Sequence, residues 1–267
     1  MKSILFSVIF ILSGIANAQD FKTYSESTEN GFIVYADNAE LCPVSVKFEW
    51  GLVNMKPATA QTVFVVPAKA TKFKVTECTR TDPKKQSKGG YKTKYNFGDI
   101  TIQKADDYIY DLPFAKGAEY QVWQGYNGTF SHQNENMLDF SMPEGTAVHA
   151  AREGIVVKVV ESNSKNCPFK DCAQYNNYIV VLHADGSYAE YLHIKKDGAV
   201  AEPGDAIEKG QLIAYSGNVG WSDGPHLHLT VYLAGIDKKR SLKTKFRTGD
   251  GKTTEYLKEK STYKKSY

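Results

Sequence analysis

Short runs of β-branched and aromatic residues, cut by polar turns, constrain the fold of this chain more than any other feature. Residues 31–35 (GFIVY), 44–48 (VSVKF), 62–66 (TVFVV) and 72–75 (KFKV) are of this kind, and the pattern resumes at 154–160 (GIVVKVV), 178–183 (YIVVLH) and 188–193 (YAEYLH). Such runs fit a pleated, half-buried surface. No long 3.6-residue periodicity appears beyond the apolar N-terminus, so the chain is expected to be all-β. The 17 tyrosines agree with this, and 267 residues suffice for two domains. The spacing predicts a small β-sandwich-like domain over 19–117, a second antiparallel β domain over 118–236 and a Lys-rich extension over 237–267. Residues 204–214 read as a hairpin with its turn at Lys209 and Gly210.

The first residues carry a targeting signal. Lys2 precedes an almost continuous apolar stretch over 4–15, and Ala16, Asn17 and Ala18 form an A-x-A cleavage site. A signal peptide over 1–18 is therefore expected, with a secreted or periplasmic mature protein. No later segment is long and apolar enough for stable membrane insertion. Export into an oxidising compartment suggests that the four cysteines form two disulfides, with three possible connectivities, of which Cys42 with Cys78 and Cys167 with Cys172 is the most economical in spacing. Lys plus Arg number 33 against 30 for Asp plus Glu, a net charge of +3 that is too mild for a nucleic-acid partner.

All six histidines lie beyond residue 130. The run 224–232 (GPHLHLTVY) reads as a strand from Leu227, and side chains at i and i+2 of a strand share a face. His226 and His228 then project into one groove, either both as metal ligands or as one ligand and one partner to bound water. Residues 131–140 (SHQNENMLDF) place Asp139 inside an apolar run, a costly position unless the carboxylate is paired or bound to a metal. His132 with Asp139 is a normal zinc pair; the alternative makes both residues parts of turns. Alternation puts His193 on the face of Tyr191, either in a polar groove or exposed to solvent. His183 and His149 read as structural, and Asn177 as a residue facing the groove. Residues 127–129 (NGT) match a glycosylation acceptor.

Taken in order, these motifs over residues 120–232 resemble the lysostaphin-type (LytM-like) zinc endopeptidases. The first His and Asp match His132 and Asp139, the Y-x-H motif matches Tyr191 to His193, and the H-x-H motif matches His226 and His228. Connecting glycines agree at Gly145, Gly154, Gly186, Gly204, Gly210 and Gly217. The resemblance implies a groove-bearing antiparallel β-sandwich of the duplicated hybrid motif type, with one Zn²⁺ per chain held by His132, Asp139 and His228. It assigns His193 and His226 as catalytic histidines and peptidoglycan cross-link peptides as substrate. Three protein ligands leave one tetrahedral position open, as in catalytic zinc sites. Val219, Ile194 and Asn176 depart from the family's usual residues, and the Cys167/Cys172 loop looks like an insertion. Weighed against this enzyme are an inactive activator with the same fold, a sugar phosphocarrier domain, and a peptidase for Gly-rich proteins.

Overall fold

The computed structural model describes residues 20–267. The expected signal peptide lies outside the described residues. Among them, strands dominate, interrupted by the 3-10 helix Lys170–Tyr175. No helix of the described residues is long and apolar enough to cross a membrane. The all-β expectation holds.

The chain divides into two compact units, one of residues up to Ile100 with Gly235–Lys238, the other of Thr101–Ala234 with Lys239–Tyr267. In the first unit, Phe21–Thr28, Gly31–Asn38, Ala70–Arg80 and Met55–Pro57 form one antiparallel sheet, and Val63–Val66, Val44–Trp50 and Tyr91–Phe97 a second. Burial alternates along Gly31–Asn38 with period two, so Phe32, Val34 and Ala36 meet Val46 and Phe48 in a shared core.

The disulfide expected between Cys42 and Cys78 is not formed, although both residues are buried. Register explains why. Cys78 pairs opposite Phe32, near the start of Gly31–Asn38. The Cys42 carbonyl instead accepts a hydrogen bond from Asn38 Nδ2, at the far end of that strand. Six residues of strand span roughly 20 Å, well beyond the ~7 Å Cα limit of a disulfide. The Cys167–Cys172 bridge is present.

The second unit is built on a long sheet with strand order Ala206–Ile207, Gly154–Val160, Tyr178–Leu182, Tyr188–Leu192, Leu227–Leu233, Met137–Phe140, Glu119–Gln124 and Thr262–Lys264. A three-stranded sheet of Ala147–His149, Leu212–Ser216 and Ile194–Ala199 accompanies it. Tyr191, Ile179, Leu227 and Leu229 of the long sheet join Val148, Ile213 and Ile194 of the smaller one in a common core. The 204–214 hairpin is not formed as such. Its turn at Lys209 and Gly210 exists, but Ala206–Ile207 pairs with Gly154–Val160 while Leu212–Ser216 pairs with Ala147–His149. Each strand follows its own buried residue, Ile207 or Ile213, into a different sheet.

The Lys-rich C-terminal residues belong to this unit rather than trailing from it. Lys245–Thr248 pairs in parallel with Ile109–Tyr110, and Thr262–Lys264 pairs with Glu119–Gln124. Phe246 is fully buried, with its ring 5.9 Å from that of Tyr110. These pairings carry 101–117 and 239–267 together into the unit that holds the histidines, across the boundaries expected at 117/118 and 236/237.

Candidate metal centre

Three adjacent strands deliver the site. Met137–Phe140 and Leu227–Leu233 pair so that Asp139 lies opposite His228, and Leu192 of the next strand lies on the other side of His228. The core-facing neighbours Leu138, Leu227 and Leu229 are buried apolar anchors. Period-two alternation therefore turns Asp139 and His228 outward into a groove.

His132 comes from the loop after Glu119–Gln124 and is fully buried. Its Nδ1 donates to the Gly125 carbonyl at 3.0 Å. Nε2 is then left as a bare lone pair, 3.3 Å from Asp139 Oδ2, with no hydrogen-bond partner among the described residues. Two acceptors facing each other in a buried place call for a cation between them. On the other side of the carboxylate, His228 Nδ1 lies 2.8 Å from Asp139 Oδ1, and His228 Nε2 lies 2.8 Å from Thr230 Oγ1. One ligand atom each from His132, Asp139 and His228 falls within 4.8 Å of the other two. Two imidazoles and a carboxylate at that spacing fit a divalent metal ion.

The electrostatics agree. Burial alone would raise the Asp139 carboxyl, but the His132 and His228 imidazoles beside it outweigh burial and hold the group well below its usual range. Burial likewise opposes protonation of His132, yet the Asp139 carboxylate prevails and raises it. At His228 burial wins and the imidazole is lowered. A fixed negative charge thus sits between two imidazoles in a site that asks for positive charge.

His193 reaches the groove by a route that alternation does not reveal. Tyr191 faces the core, not the groove, and its hydroxyl oxygen accepts a hydrogen bond from Ala151 N. Continuing the strand would bury His193 beside it. The strand ends at Leu192 instead, and His193 takes φ 63°, a left-handed conformation that swings the ring back over the groove. Its backbone N–H donates to the Asn177 carbonyl at 2.9 Å, and its Nδ1 donates to the Val219 carbonyl at 2.8 Å. The Val219 side chain takes no part in this contact, because the backbone makes it. His226 is held alike, with Nδ1 2.8 Å from the Gly224 carbonyl. The His193 and His226 ring centroids are 4.5 Å apart, and His226 Nε2 lies 3.9 Å from Asp139 Oδ1. Burial, then repulsion from His226 and His228, pushes His193 down to about 3.

All five residues singled out in the sequence line one groove of about 470 Å³. Its walls are Trp123 and Phe130 on one side and Pro168, Ala173 and Trp221 on the other. The second wall belongs to the disulfide-closed insertion, where Asn166–Cys167 pairs in parallel with Gly220–Trp221. Asn176 accepts from Trp221 N at 2.9 Å, and a Cβ on Gly220 would fall 1.9 Å from Asn176 Oδ1. Gly220 thereby makes room for the Asn176 side chain. Glu190 and Lys239 form an ion pair along the groove.

Other expectations fall elsewhere. Asn177 is buried beside the groove, not facing it, because its side chain binds the loop at Glu161 and Asn163. His183 is buried with Nδ1 on the Glu153 carbonyl, and His149 Nδ1 meets the Gly210 carbonyl. One residue escaped the sequence reading. Gln124 Nε2 lies 2.9 Å from Asp139 Oδ2, yet a lone glutamine before a glycine carries no sequence signature of a metal site.

The family model Peptidase family M23 matches residues 133–240. Peptidoglycan DD-endopeptidase ShyA of Vibrio cholerae is 35% identical over 100 residues, which cover 38% of this chain and 20% of that protein. Peptidoglycan DD-endopeptidase ShyC of the same organism is 34% identical over 101 residues, covering 38% and 20%. The chain thus spans about a fifth of the length of these relatives. Among solved structures, the antimicrobial peptidase lysostaphin from Staphylococcus simulans matches at 27% identity and TM-score 0.36, over 46% of this chain and 47% of that one. Residues 133–240 thus form a Peptidase family M23 domain.

Proposed function

We propose that this protein is a zinc-dependent endopeptidase that hydrolyses peptide cross-links of peptidoglycan outside the cytoplasm. The observation that carries the proposal is the buried, unpartnered Nε2 of His132 facing Asp139, with His228 on the opposite carboxylate oxygen. His132 through Nε2, Asp139 through its carboxylate and His228 through Nδ1 would hold the ion. Bound there, zinc would supply Lewis acidity and lower the pKa of water towards neutrality. The substrate class comes from the relatives named as peptidoglycan DD-endopeptidases.

The remaining chemistry belongs to His193 and His226. Each has its Nδ1 at a backbone carbonyl, so each is left with an Nε2 lone pair free to accept a proton. Their rings are close enough that protonating one opposes protonating the other. The pair therefore takes one proton from the attacking water and returns it to the leaving amine, as hydrolysis of a peptide bond requires. The aromatic walls exclude water and confine an extended peptide. All three proposed ligands are in place, which favours an active enzyme over an inactive activator of the same fold.

The test is digestion of purified peptidoglycan, with and without a chelator, followed by zinc add-back. Release of cross-link peptides that stops with chelator and returns with zinc is expected. Chelator-insensitive cleavage, or none under any condition, contradicts the proposal.

A further inference from the structure

Gln124 is buried where the loop bearing His132 meets the strand bearing Asp139. A β-bulge between Asp139 and Phe140 in their pairing with Glu119–Gln124 sets Gln124 directly opposite Asp139. Every hydrogen-bonding valence of its amide is used. Nε2 donates to Asp139 Oδ2 at 2.9 Å and to Ser131 Oγ at 2.9 Å, while Oε1 accepts from Phe130 N at 3.0 Å and Ser131 N at 2.9 Å. One side chain thus ties the carboxylate to the residue preceding His132.

The next residue completes the device. The Gly125 carbonyl accepts from His132 Nδ1, which fixes Nε2 as the nitrogen offered to the centre. Gly125 is itself pinned, since its N–H donates to Glu259 Oε2 at 3.0 Å. Space around the amide is reserved as well. A Cβ on Gly128 would lie 2.4 Å from Gln124 Cγ and 2.9 Å from Oε1, and Gly128 closes the loop by accepting from His132 N at 3.2 Å.

We infer that Gln124 and Gly125 form a positioning element that fixes the ligand atoms of both Asp139 and His132 before metal arrives. The inference rests on the proposed metal centre and extends it to residues that touch neither metal nor substrate. Gln124 sets the carboxylate through its amide N–H, and Gly125 sets the imidazole tautomer through its carbonyl. Glutamate could not replace Gln124, because it has no N–H to donate and would oppose Asp139 with like charge.

The experiment measures zinc dissociation constants at pH 7 by chelator competition, with the unfolding midpoint of each metal-free chain alongside. Gln124→Met keeps the length and removes the amide. Gly128→Ala keeps every hydrogen-bonding group and displaces Gln124 by contact. Each is expected to weaken zinc by about 10–100-fold, the usual effect of losing a residue that orients a metal ligand. The double variant is expected to be no weaker than the worse single one, because both act on the same side chain. A merely structural role would lower the metal-free midpoint and leave zinc affinity alone. Should Gln124→Met not fold, Gly128→Ala decides by itself. If the unsubstituted chain binds zinc and the variants bind within about twofold of it, this inference fails while the metal centre stands. If the unsubstituted chain binds none, the metal centre fails and takes the inference with it.

Discussion

His228 and His193 line the same groove, and under the roles proposed for them their removal should have separable effects. His228→Ala takes away one of the three proposed ligands and is expected to strip most of the bound zinc. His193→Ala leaves the three ligands in place and should retain zinc while turnover falls about 10²–10⁴-fold, the range of a lost general acid–base group. Zinc stoichiometry by elemental analysis beside kcat checks this, and equal zinc loss in both variants refutes the division of roles. His183 predicts a pH effect on stability instead. Burial holds its imidazole down at about 4 in the folded chain, against 6.5 ordinarily. The unfolded chain then binds the extra proton first as pH falls. The stabilisation is complete above about pH 6.5 and is lost progressively down to about pH 4, for a total near 3 kcal/mol. His183→Gln should flatten the urea-denaturation profile across that window, and an unchanged slope contradicts the assignment. The five residues that line the groove could be singled out in the sequence because metal chemistry restricts residue type and spacing. Gln124 could not, since an amide that orients a ligand looks in sequence like any other glutamine.

At the level of elements, the groove depends on one turn and one inserted wall. Strand alternation located the histidine face correctly for His228, where the strand is regular. It failed at His193, because a positive φ after Leu192 resets which side the next side chain takes. No residue pattern announces such a turn in a non-glycine position. The insertion was visible from its paired cysteines, but its contact with Trp221 and with the groove was not. The Cys167–Cys172 bridge closes the loop that presents Pro168 to the groove, and Trp221 Nε1 donates to the Pro168 carbonyl at 3.3 Å. Replacing both cysteines by serine removes a short cross-link worth about 2 kcal/mol in chain entropy. The wall should loosen while the ligands stay in place. Steady-state kinetics on a cross-link peptide should show KM raised several-fold with kcat and zinc content near normal. A fall in zinc content would tie the insertion to the metal site and contradict this view.

For the whole molecule, composition and β patterning were enough to expect an all-β chain, but not to find where its units begin and end. Lysines at 238, 239, 243, 245, 252, 258, 260, 264 and 265 suggest a solvated tail. Phe246, Leu257 and Tyr263 nevertheless enter the core, and Glu259 holds Gly125 beside the site. Sparse apolar anchors within a charged run are hard to tell from chance. Pairing Cys42 with Cys78 failed similarly, because economy of spacing says nothing about register. Phe246→Ala should destabilise the histidine-bearing unit by about 3–5 kcal/mol, read from chemical denaturation, whereas a tail residue would cost almost nothing. The central claim is that His132, Asp139 and His228 share one metal ion, and diffraction at the zinc absorption edge from zinc-loaded crystals tests it most directly. The account predicts a single strong anomalous peak within about 2.0–2.2 Å of His132 Nε2, an Asp139 oxygen and His228 Nδ1. An empty centre in crystals loaded with zinc, or a peak bound by other side chains, would contradict it.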